Sequence, residues 1–254
     1  MKNAIKLSAT SSQNNGMAYY RHLLANRPHP LKNLDALATI TSFHRGQKIC
    51  SRDQTAEHQT LEHWYFLISG AVRRCAIRSD GHRQIVDLLL PGDFFGLAFG
   101  DQTDAIIEAA AQNTVVASYP RSRIELLADS DPKIARELRE ITFKALSRIQ
   151  GQVMILGRIT AIEKVGSFIL EMAGRLSDGK SDGVSLPVSR YDIADYLGVS
   201  VETVSRAISE LQHRGAIKLL NTRTVSIIYR RVLEERVRPE GTRQLVNHAQ
   251  RVAA

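Results

Sequence analysis

The sequence predicts an α+β chain with an N-terminal antiparallel β-barrel or jelly roll, a long helix, and a C-terminal pair of short helices followed by a hairpin. Three observations predict this order. Short β-rich runs separated by turn residues fill residues 43–127, a helical pattern covers 131–159, and two capped helical patterns meet at a tight turn within 188–215. The 254 residues are enough for two modest domains.

The composition is that of a folded, basic chain. Hydrophobic residues make up 43% of it and the formal net charge is +8. This charge favours a polyanionic partner, but only weakly, because basic proteins are common. No apolar run has the length of a membrane span, and the N-terminus has no apolar core followed by a cleavage site. We therefore expect a cytoplasmic protein with no membrane partner.

The candidate chemical groups do not indicate catalysis. Cys50 and Cys75 are too few and too far apart for a disulfide framework or a zinc site, and we expect both to be small residues of the β-rich region. No Ser-His-Asp set, carboxylate pair, phosphate-binding loop or metal constellation stands out. The sequence predicts a protein that is not an enzyme and has no metal or cofactor.

The N-terminal part leads from a polar tail into the β-rich region. Residues 1–18 show no periodicity and predict a mobile tail, whereas 19–40 contain short helical pieces interrupted by Pro28 and Pro30. Turn residues separate the later runs, which indicates an antiparallel barrel or jelly roll, and we assign 19–130 to one domain. The runs typical of strands are HWYFLIS, AVRRCAIR, RQIVDLLL and TVVASYP.

The longest helical pattern covers residues 131–159. Asp131 and Pro132 begin it as N-cap and first helical residue. It predicts either a coiled-coil seam between two copies, with polar breaks at 148 and 152, or a helix packed only on its own barrel. The stripe behind both alternatives has alternating spacings of four and three, and it consists of Ile134, Leu138, Ile141, Ala145, Arg148, Gln152, Ile155 and Ile159.

Residues 160–231 are predicted to form a C-terminal domain. An amphipathic helix, AIEKVGSFILEMAGRL, comes first and is followed by a flexible SDGKSDG run. The β-rich segments 216–220 and 224–228 flank Asn221-Thr222-Arg223, which predicts a hairpin, or wing. Residues 232–254 extend beyond this domain, and their pattern does not indicate a role.

Within this domain, residues 188–215 predict two helices joined by a tight turn. Ser189 and Asp192 have the spacing of a capping box at the first helix, and Gly198 ends that helix. Ser200 caps the second helix, whose apolar residues recur at helical spacing until Gly215. In such a helix-turn-helix the second helix lies in the major groove of DNA.

The second helix has a polar face. Glu202, Ser205 and Arg206 lie opposite its apolar positions and are therefore free to point outward. The alternative is a solvated face with ordinary charges, which would be preferred for an isolated Glu/Arg pair at this spacing. The capped helix pair around these residues favours contacts with DNA bases.

This stretch resembles the CRP/FNR superfamily of bacterial transcription regulators, and within it the FNR/FixK branch. The branch has Glu, two residues and then Ser-Arg, present here as Glu202-Thr203-Val204-Ser205-Arg206 after Asp192–Gly198. The resemblance implies double-stranded DNA as partner, a TTGAT-N4-ATCAA-like palindrome, and activation by recruiting RNA polymerase. It also implies that Glu202 accepts from cytosine, Arg206 binds guanine and Ser205 helps to read the half-site. The positions implied to hold the phosphate backbone are Ser189, Arg190, Ser200 and Thr203.

A homodimer is the favoured assembly, because a monomer that reads one short half-site would have little specificity. The resemblance covers roughly residues 20–230. It implies a barrel similar to cyclic-nucleotide-binding domains, joined to a winged helix-turn-helix. We expect the stripe of the long helix to be the dimer interface, through Ile134, Leu138, Ile141, Ala145, Gln152, Ile155 and Ile159.

The barrel is similar to the family's effector domain at Phe66–Gly70 and Pro91–Gly96. In cAMP-binding relatives a Glu for the ribose follows the second segment, and an Arg-Ser pair for the phosphate comes later. This chain has Leu97 instead, and the later stretch Ala105–Ala110 contains Glu108 and no cation. Since a buried phosphate needs donors or positive charge, we expect no cAMP binding. The barrel then holds another ligand, or none.

Two other cofactors of the family also lack a clear ligand set. Residues 1–49 contain no cysteine, so an iron–sulfur centre is not expected. Scattered histidines in a basic chain are more often surface residues than haem ligands, although His44, His58, His63 and His82 fall in or near the barrel. Two alternatives stay open: the same architecture gated by a small ligand or haem, and a winged helix used for contact with protein or RNA.

Overall fold

A computed structural model describes residues 19–22, 24, 29, 31–50, 63–77, 81–96, 105–176 and 183–234. The chain divides into two compact units, residues 1–152 and 153–254. The predicted α+β class is confirmed: the first unit is β-rich and the second carries the paired helices and a small sheet. The predictions for the tail 1–18, for Pro28 and Pro30, for the SDGKSDG run up to residue 182 and for residues 235–254 lie outside the described residues.

Two four-stranded antiparallel sheets form the first unit. One has the strand order β1-β8-β3-β6 and the other β2-β7-β4-β5, so all neighbouring strands except β4 and β5 are distant in sequence, as in a jelly roll. The strands are β1 (Thr39–Phe43), β2 (Lys48–Cys50), β3 (His63–Ser69), β4 (Val72–Ile77), β5 (Arg83–Leu89), β6 (Phe94–Phe95), β7 (Ala105–Ala109) and β8 (Thr114–Pro120).

The four predicted strand runs coincide with β3, β4, β5 and β8. The remaining strands were not predicted, and two of them, β2 and β6, are only three and two residues long. Strand β3 is apolar on both faces because both are covered. Phe66 and Ile68 belong to one core cluster, whereas Leu67 between them belongs to another that also contains Val72 of the second sheet.

Two helices follow the barrel strands. Helix α1 (Arg121–Ser130) was not predicted, since Ile124 is its single buried residue and its apolar pattern is correspondingly weak. Helix α2 (Pro132–Leu156) is the predicted long helix, although it is shorter than the pattern. Asp131 Oδ1 accepts the backbone N–H of Lys133 at 2.8 Å, which confirms the predicted start.

Five residues of the predicted dimer stripe of α2 face the chain's own barrel, so the assignment is corrected for these five. Ile134, Ile141 and Ala145 are buried in the core cluster that contains Phe66, and Leu138 packs against it. Gln152 Nε2 donates to the Ile85 carbonyl at 3.1 Å. Ile155 is also buried, whereas Ile159 lies beyond the end of the helix and is 86% exposed, so its predicted place in a dimer interface stays a prediction. Residues already packed within one chain cannot also form a seam with a second copy.

An ion pair joins the same face of α2 to the second sheet. The Arg148 guanidinium binds both oxygens of Asp87, at 2.8 and 2.9 Å, and both side chains are largely buried. Arg148 Nη1 also lies 3.4 Å from Asp93 Oδ1. The polar break predicted at 148 is therefore an attachment between helix and barrel.

Another face of α2 is apolar and exposed. Phe143 is 60% exposed, Leu146 50% and Val153 60%. Leu146 follows Phe143 by three residues and Val153 follows Leu146 by seven, which is a heptad spacing. Gln150 occupies the intervening position and is exposed. This second stripe was hidden in the sequence because the first stripe has the same heptad spacing and more aliphatic residues.

The second unit is a three-stranded sheet with helices. Its elements are α3 (Ala161–Leu176), β9 (Gly183–Ser185), α4 (Arg190–Leu197), α5 (Val201–His213), β10 (Ile217–Leu219), β11 (Thr224–Ile227) and α6 (Arg230–Glu234). The predicted hairpin β10–β11 is present, and β9, which was not predicted, pairs with β11.

Helix α3 supplies the base on which the other helices of this unit pack. Val165, Phe168, Ile169 and Met172 on α3 are buried, and the ring of Phe168 lies 5.5 Å from that of Tyr196 on α4. A Cβ at Gly166 would lie 3.4 Å from Leu233 Cδ2, so α6 approaches α3 closely there. The unit therefore continues past residue 231. None of the described helices has the length and hydrophobicity needed to cross a membrane.

Candidate nucleic-acid interface

The start and end of α4 are determined by local hydrogen bonds. Ser189 Oγ accepts the N–H of Asp192 at 3.2 Å, and Asp192 Oδ2 accepts the N–H of Ser189 at 3.0 Å, which confirms the capping box. Gly198 ends the helix with φ of +65°, a conformation that residues with a Cβ rarely adopt. The turn to α5 is therefore short and well defined.

Helix α5 has one buried and one exposed face. Ser200 Oγ accepts the N–H of Thr203 at 3.2 Å, the predicted cap, and Gly215 follows the helix with φ of +69°. The buried face consists of Val204, Ala207, Ile208 and Leu211. The α3 and α4 helices pack on α5 from within the unit, and Glu202, Arg206 and Ser209 on the other side of α5 are exposed.

The three predicted base-contacting residues lie together on the outer face of α5. Glu202 and Arg206 are exposed and Ser205 is half-buried. The backbone N–H of Glu202, the Ser200 hydroxyl and, more weakly, the Arg206 charge hold the pKa of the Glu202 carboxyl below its usual range. Within the described part of the chain, Arg206 forms no hydrogen bond or ion pair. The helix thus presents an ionised acceptor and an uncommitted guanidinium side by side.

Arg190 and Ser205, predicted to have different roles, contact each other. Arg190 is the first residue of α4, and its Nη1 donates to Ser205 Oγ at 3.2 Å. No other hydrogen bond of Ser205 Oγ occurs within the described residues, where the bond from Ser209 goes to the Ser205 backbone carbonyl. The contact links the N-terminus of the first helix to the middle of the second.

The hydroxyl groups predicted to contact phosphate differ in the hydrogen bonds that they already form within the chain. Ser189 Oγ donates its hydrogen to Asp192 Oδ2 at 2.6 Å, so its hydroxyl has no hydrogen left for a phosphate. Ser189 thus serves as a cap in the free protein, and its contact with phosphate stays a prediction. The hydroxyls of Ser200 and Thr203 lie 3.0 Å apart at the start of α5, and Ser200 is exposed.

The wing adds candidate residues that the sequence analysis missed. Asn221 Oδ1 accepts the N–H groups of Arg223 and Thr224 at 2.8 and 2.7 Å, which leaves Thr222 and Arg223 exposed at the tip. A groove of about 400 Å³ separates the wing from the start of α4, and Arg190 and Arg223 are both among its lining residues. The signal in the sequence that could have indicated these residues is a turn that begins at an asparagine and contains an arginine.

Comparison with known proteins agrees with this geometry. Residues 163–236 match the Crp-like helix-turn-helix domain and residues 40–131 the cyclic nucleotide-binding domain. The nitrogen fixation regulation protein FixK of Azorhizobium caulinodans is 39% identical over 199 residues, which are 77% of this chain and 78% of that protein. The transcriptional activator protein FnrL of Cereibacter sphaeroides is 35% identical over 66% of this chain and 71% of its own.

A solved structure is similar over nearly its whole length. FixK2 from Bradyrhizobium japonicum has a TM-score of 0.70 and 37% identity, over 80% of this chain and 98% of that chain. The chain belongs to the CRP/FNR family, in its FixK-like branch. It is a DNA-binding transcription regulator of this family. The relatives that it resembles are transcription regulators, which makes an enzymatic activity unexpected.

In the barrel of this CRP/FNR regulator, two arginines from other strands contact Glu108. Glu108 Oε1 lies 2.8 Å from Arg73 Nε and 3.2 Å from Arg83 Nη1, because β4 and β5 bring both arginines beside β7. The negative charge of Glu108 is therefore balanced by the two arginines. Both guanidinium groups contact the carboxylate, so a cyclic phosphate would have to compete with it. Leu97 lies outside the described residues.

Two of the histidines considered as haem ligands have other neighbours in the described part of the regulator. His44 Nδ1 lies 3.0 Å from Gln112 Nε2, and the ring of His63 lies 6.3 Å from that of Tyr65. No group of three or more His, Cys, Asp or Glu side chains that could hold a metal ion occurs among the described residues. His58 lies outside them. Cys75 is buried in β4, as expected for a small residue of the barrel.

Proposed function

We propose that this regulator binds, as a homodimer, to a palindrome of the type TTGAT-N4-ATCAA, with α5 of each copy in the major groove. The observation that carries the proposal is the outer face of α5, where Glu202, Ser205 and Arg206 lie together and are supported from behind by a buried apolar face. A helix presented in this way by a capped partner helix is the usual reader of base edges.

The chemistry of this face matches major-groove recognition. The guanidinium of Arg206 suits the O6 and N7 acceptors of guanine, to which arginine binds in a bidentate manner. The ionised carboxylate of Glu202 suits the N4 donor of cytosine. Because Glu202 also repels acceptor-rich edges, it contributes to specificity by exclusion as well as by attraction.

Positive and hydroxyl-bearing residues beside this face are proposed to hold the DNA backbone. Arg190 is the first residue of α4, Ser200 is the N-cap of α5 and Thr203 lies in its first turn. We add Thr222 and Arg223 of the wing, which are exposed across the groove from Arg190. Each phosphate neutralised should contribute about 0.9 to the slope of log affinity against log salt concentration.

The dimer interface is proposed to be the second stripe of α2, formed by Phe143, Leu146 and Gln150 and continued in sequence by Val153. Phe143, Leu146 and Val153 are half or more exposed in the single chain, Gln150 between them is also exposed, and the four positions have coiled-coil spacing. A second copy of the same helix would cover them, and two copies would match the two-fold symmetry of a palindrome. This choice is supported by the burial of Ile141, on the other face of α2, in the core cluster of the barrel.

We propose that the regulator binds upstream of a promoter and activates transcription by recruiting RNA polymerase. Because the polymerase and the DNA of a bacterium are in the cytoplasm, we propose that the regulator acts there. The named FnrL relative is a transcriptional activator. In transcription with purified polymerase, a template with the palindrome should give more transcript when the regulator is added, whereas a template with a scrambled site should not.

The binding step itself is tested by fluorescence anisotropy on three duplexes: the palindrome, a single half-site and a scrambled sequence of equal composition. We expect binding to the palindrome to be at least ~1,000-fold tighter than to the scrambled duplex at physiological salt. The half-site should bind far more weakly than the palindrome. Equal affinity for all three duplexes would contradict the proposal and favour a winged helix used for protein or RNA contact.

A further inference from the structure

We propose that Arg190 is a positioning residue for base recognition: it holds Ser205 so that the serine hydroxyl donates its hydrogen to an acceptor on a base edge. This inference rests on the proposed placement of α5 in the major groove. It assigns Arg190 a part in sequence preference, in addition to any contact with phosphate.

The first step of the argument is the direction of the hydrogen bond. Arg190 Nη1 lies 3.2 Å from Ser205 Oγ. A guanidinium has five N–H donors, no acceptor, and a charge that persists throughout the accessible pH range. The serine oxygen is therefore always the acceptor in this contact, and its own hydrogen is not used there.

The second step concerns what Ser205 has left to offer. A serine hydroxyl has one hydrogen and two lone pairs. Within the described residues, the bond from Arg190 is the one hydrogen bond of Ser205 Oγ, so its hydrogen is available. An adjacent positive charge makes a hydroxyl a better donor and a poorer acceptor. The hydroxyl should then select purine N7, guanine O6 or thymine O4 over the amino groups of cytosine and adenine.

The third step is that Arg190 can hold Ser205 and a phosphate at once. No carboxylate of the described residues pairs with Arg190, which is half-buried at the edge of the groove that Arg223 also lines. One N–H of the fork binds Ser205, and the others can face the backbone. A guanidinium fixed at one end by DNA and at the other by Ser205 would hold the hydroxyl in one rotamer.

The two roles predict different patterns of loss. Removal of a phosphate contact weakens all duplexes by the same factor, whereas removal of a positioning contact weakens binding only where the positioned group reads the base pair. Arg223 provides the matched control, because it is exposed at the tip of the wing and has no contact with Ser205 that would alter base reading.

The experiment measures the affinity of five proteins for the palindrome and for duplexes with each base pair of the half-site changed symmetrically. The proteins are the wild type, Arg190→Ala, Ser205→Ala, the double variant and Arg223→Ala. The pair at which Ser205→Ala loses preference identifies the pair that Ser205 reads. We expect Arg190→Ala to lose preference at that same pair, by roughly 3- to 10-fold, as for one net hydrogen bond.

The double variant should have no less preference at that pair than Ser205→Ala, because the two residues act as one unit. Arg223→Ala should lose affinity evenly and keep the wild-type preference. At the identified pair, a purine with N7 replaced by carbon, or a thymine analogue without O4, should abolish the wild-type preference and leave Ser205→Ala unaffected.

The proposal is overturned if Arg190→Ala retains the wild-type preference at the pair, if the two single losses add in the double variant, or if Ser205→Ala relaxes no pair. Arg206→Ala, measured on the same duplexes, separates these results from failure of the proposed function. A loss at one base pair in Arg206→Ala means that α5 still reads DNA and only the role of Arg190 is wrong. If Arg206→Ala shows no loss at any single base pair, both the proposed function and the role of Arg190 are overturned.

Discussion

Among single residues, Glu202 has an environment that sets its charge before DNA arrives. Its own N–H and the Ser200 hydroxyl stabilise the carboxylate and lower its pKa. A depressed pKa in an acid means that the ionised form is present above that pKa and is lost only as the pH falls through it. Ordinary glutamates already titrate near pH ~4.3, so Glu202 should be fully charged across the neutral range.

We therefore predict that discrimination by Glu202 does not change between about pH 6 and about pH 8. The measurement is the ratio of affinities for the palindrome and for a duplex with the cytosine-bearing pair replaced, with Glu202→Gln as control. Glu202→Gln should have a lower ratio at every pH without loss of overall binding. A wild-type ratio that falls toward the Glu202→Gln value within this window would show that the carboxylate titrates there.

Among the elements, the long helix α2 carries two apolar stripes, and the sequence alone does not show which of them packs on the barrel. Both stripes have heptad spacing, and the choice between them depends on which one meets Phe66 and its neighbours in the barrel. The capping box at Ser189 and the turn at Gly198 could be predicted because their signals are local. Likewise β3 and β8 are long apolar runs, whereas β2 and β6 are stabilised by pairing with distant strands and have little pattern of their own.

The same limit applies to the site. Glu202, Ser205 and Arg206 could be placed on one face from spacing, because a helix imposes that face on them. The contact of Arg190 with Ser205 joins residues 15 positions apart on two helices and depends on how those helices cross. The pairing of Glu108 with Arg73 and Arg83 depends in the same way on strand order. Such contacts have no local signal.

The two stripes of α2 predict opposite outcomes for charge substitutions. The double variant Phe143→Asp, Leu146→Asp should remain folded and become monomeric, because both side chains are exposed in the single chain. Ile141→Asp should unfold the barrel instead, since an unpaired charge in the core costs several kcal/mol. Light scattering reports the mass and circular dichroism the fold. A folded dimer from the double variant would place the interface elsewhere.

The ion pair between Arg148 and Asp87 predicts how firmly α2 is attached. Arg148→Ala leaves a largely buried carboxylate without its bidentate partner and should destabilise the barrel by roughly 3–5 kcal/mol. The matched control is Arg214→Ala, which removes an exposed pair with Glu210 and should change stability by at most about 1 kcal/mol. Urea unfolding measures both. Equal, small effects would mean that Asp87 does not depend on Arg148.

For the whole molecule, the barrel and the DNA-binding unit need not be coupled through cAMP. The Arg73 and Arg83 guanidinium groups are bound to Glu108, and a cyclic phosphate would have to displace it. We predict that millimolar cAMP changes neither the melting temperature nor the affinity for the palindrome. A ligand that bound only the folded form would raise the melting temperature by mass action. Saturable heat on titration with cAMP would contradict the prediction.

The central claim is that α5 reads the sequence of DNA through its outer face. Arg206 tests it most directly, because its guanidinium has no hydrogen-bond or ion-pair partner among the described residues and its removal leaves the buried face intact. Arg214 is the matched control, an exposed arginine just after the same helix whose partner is Glu210.

The decisive measurement is the affinity of Arg206→Ala and Arg214→Ala for the palindrome and for duplexes changed at one symmetric base pair at a time. We predict that Arg206→Ala loses about 1–3 kcal/mol per half-site on the palindrome and no longer distinguishes the guanine-bearing pair, while its preference at the other pairs persists. Arg214→Ala should retain every preference of the wild type. If Arg206→Ala instead weakened binding to all duplexes by one common factor, α5 would not be the recognition helix.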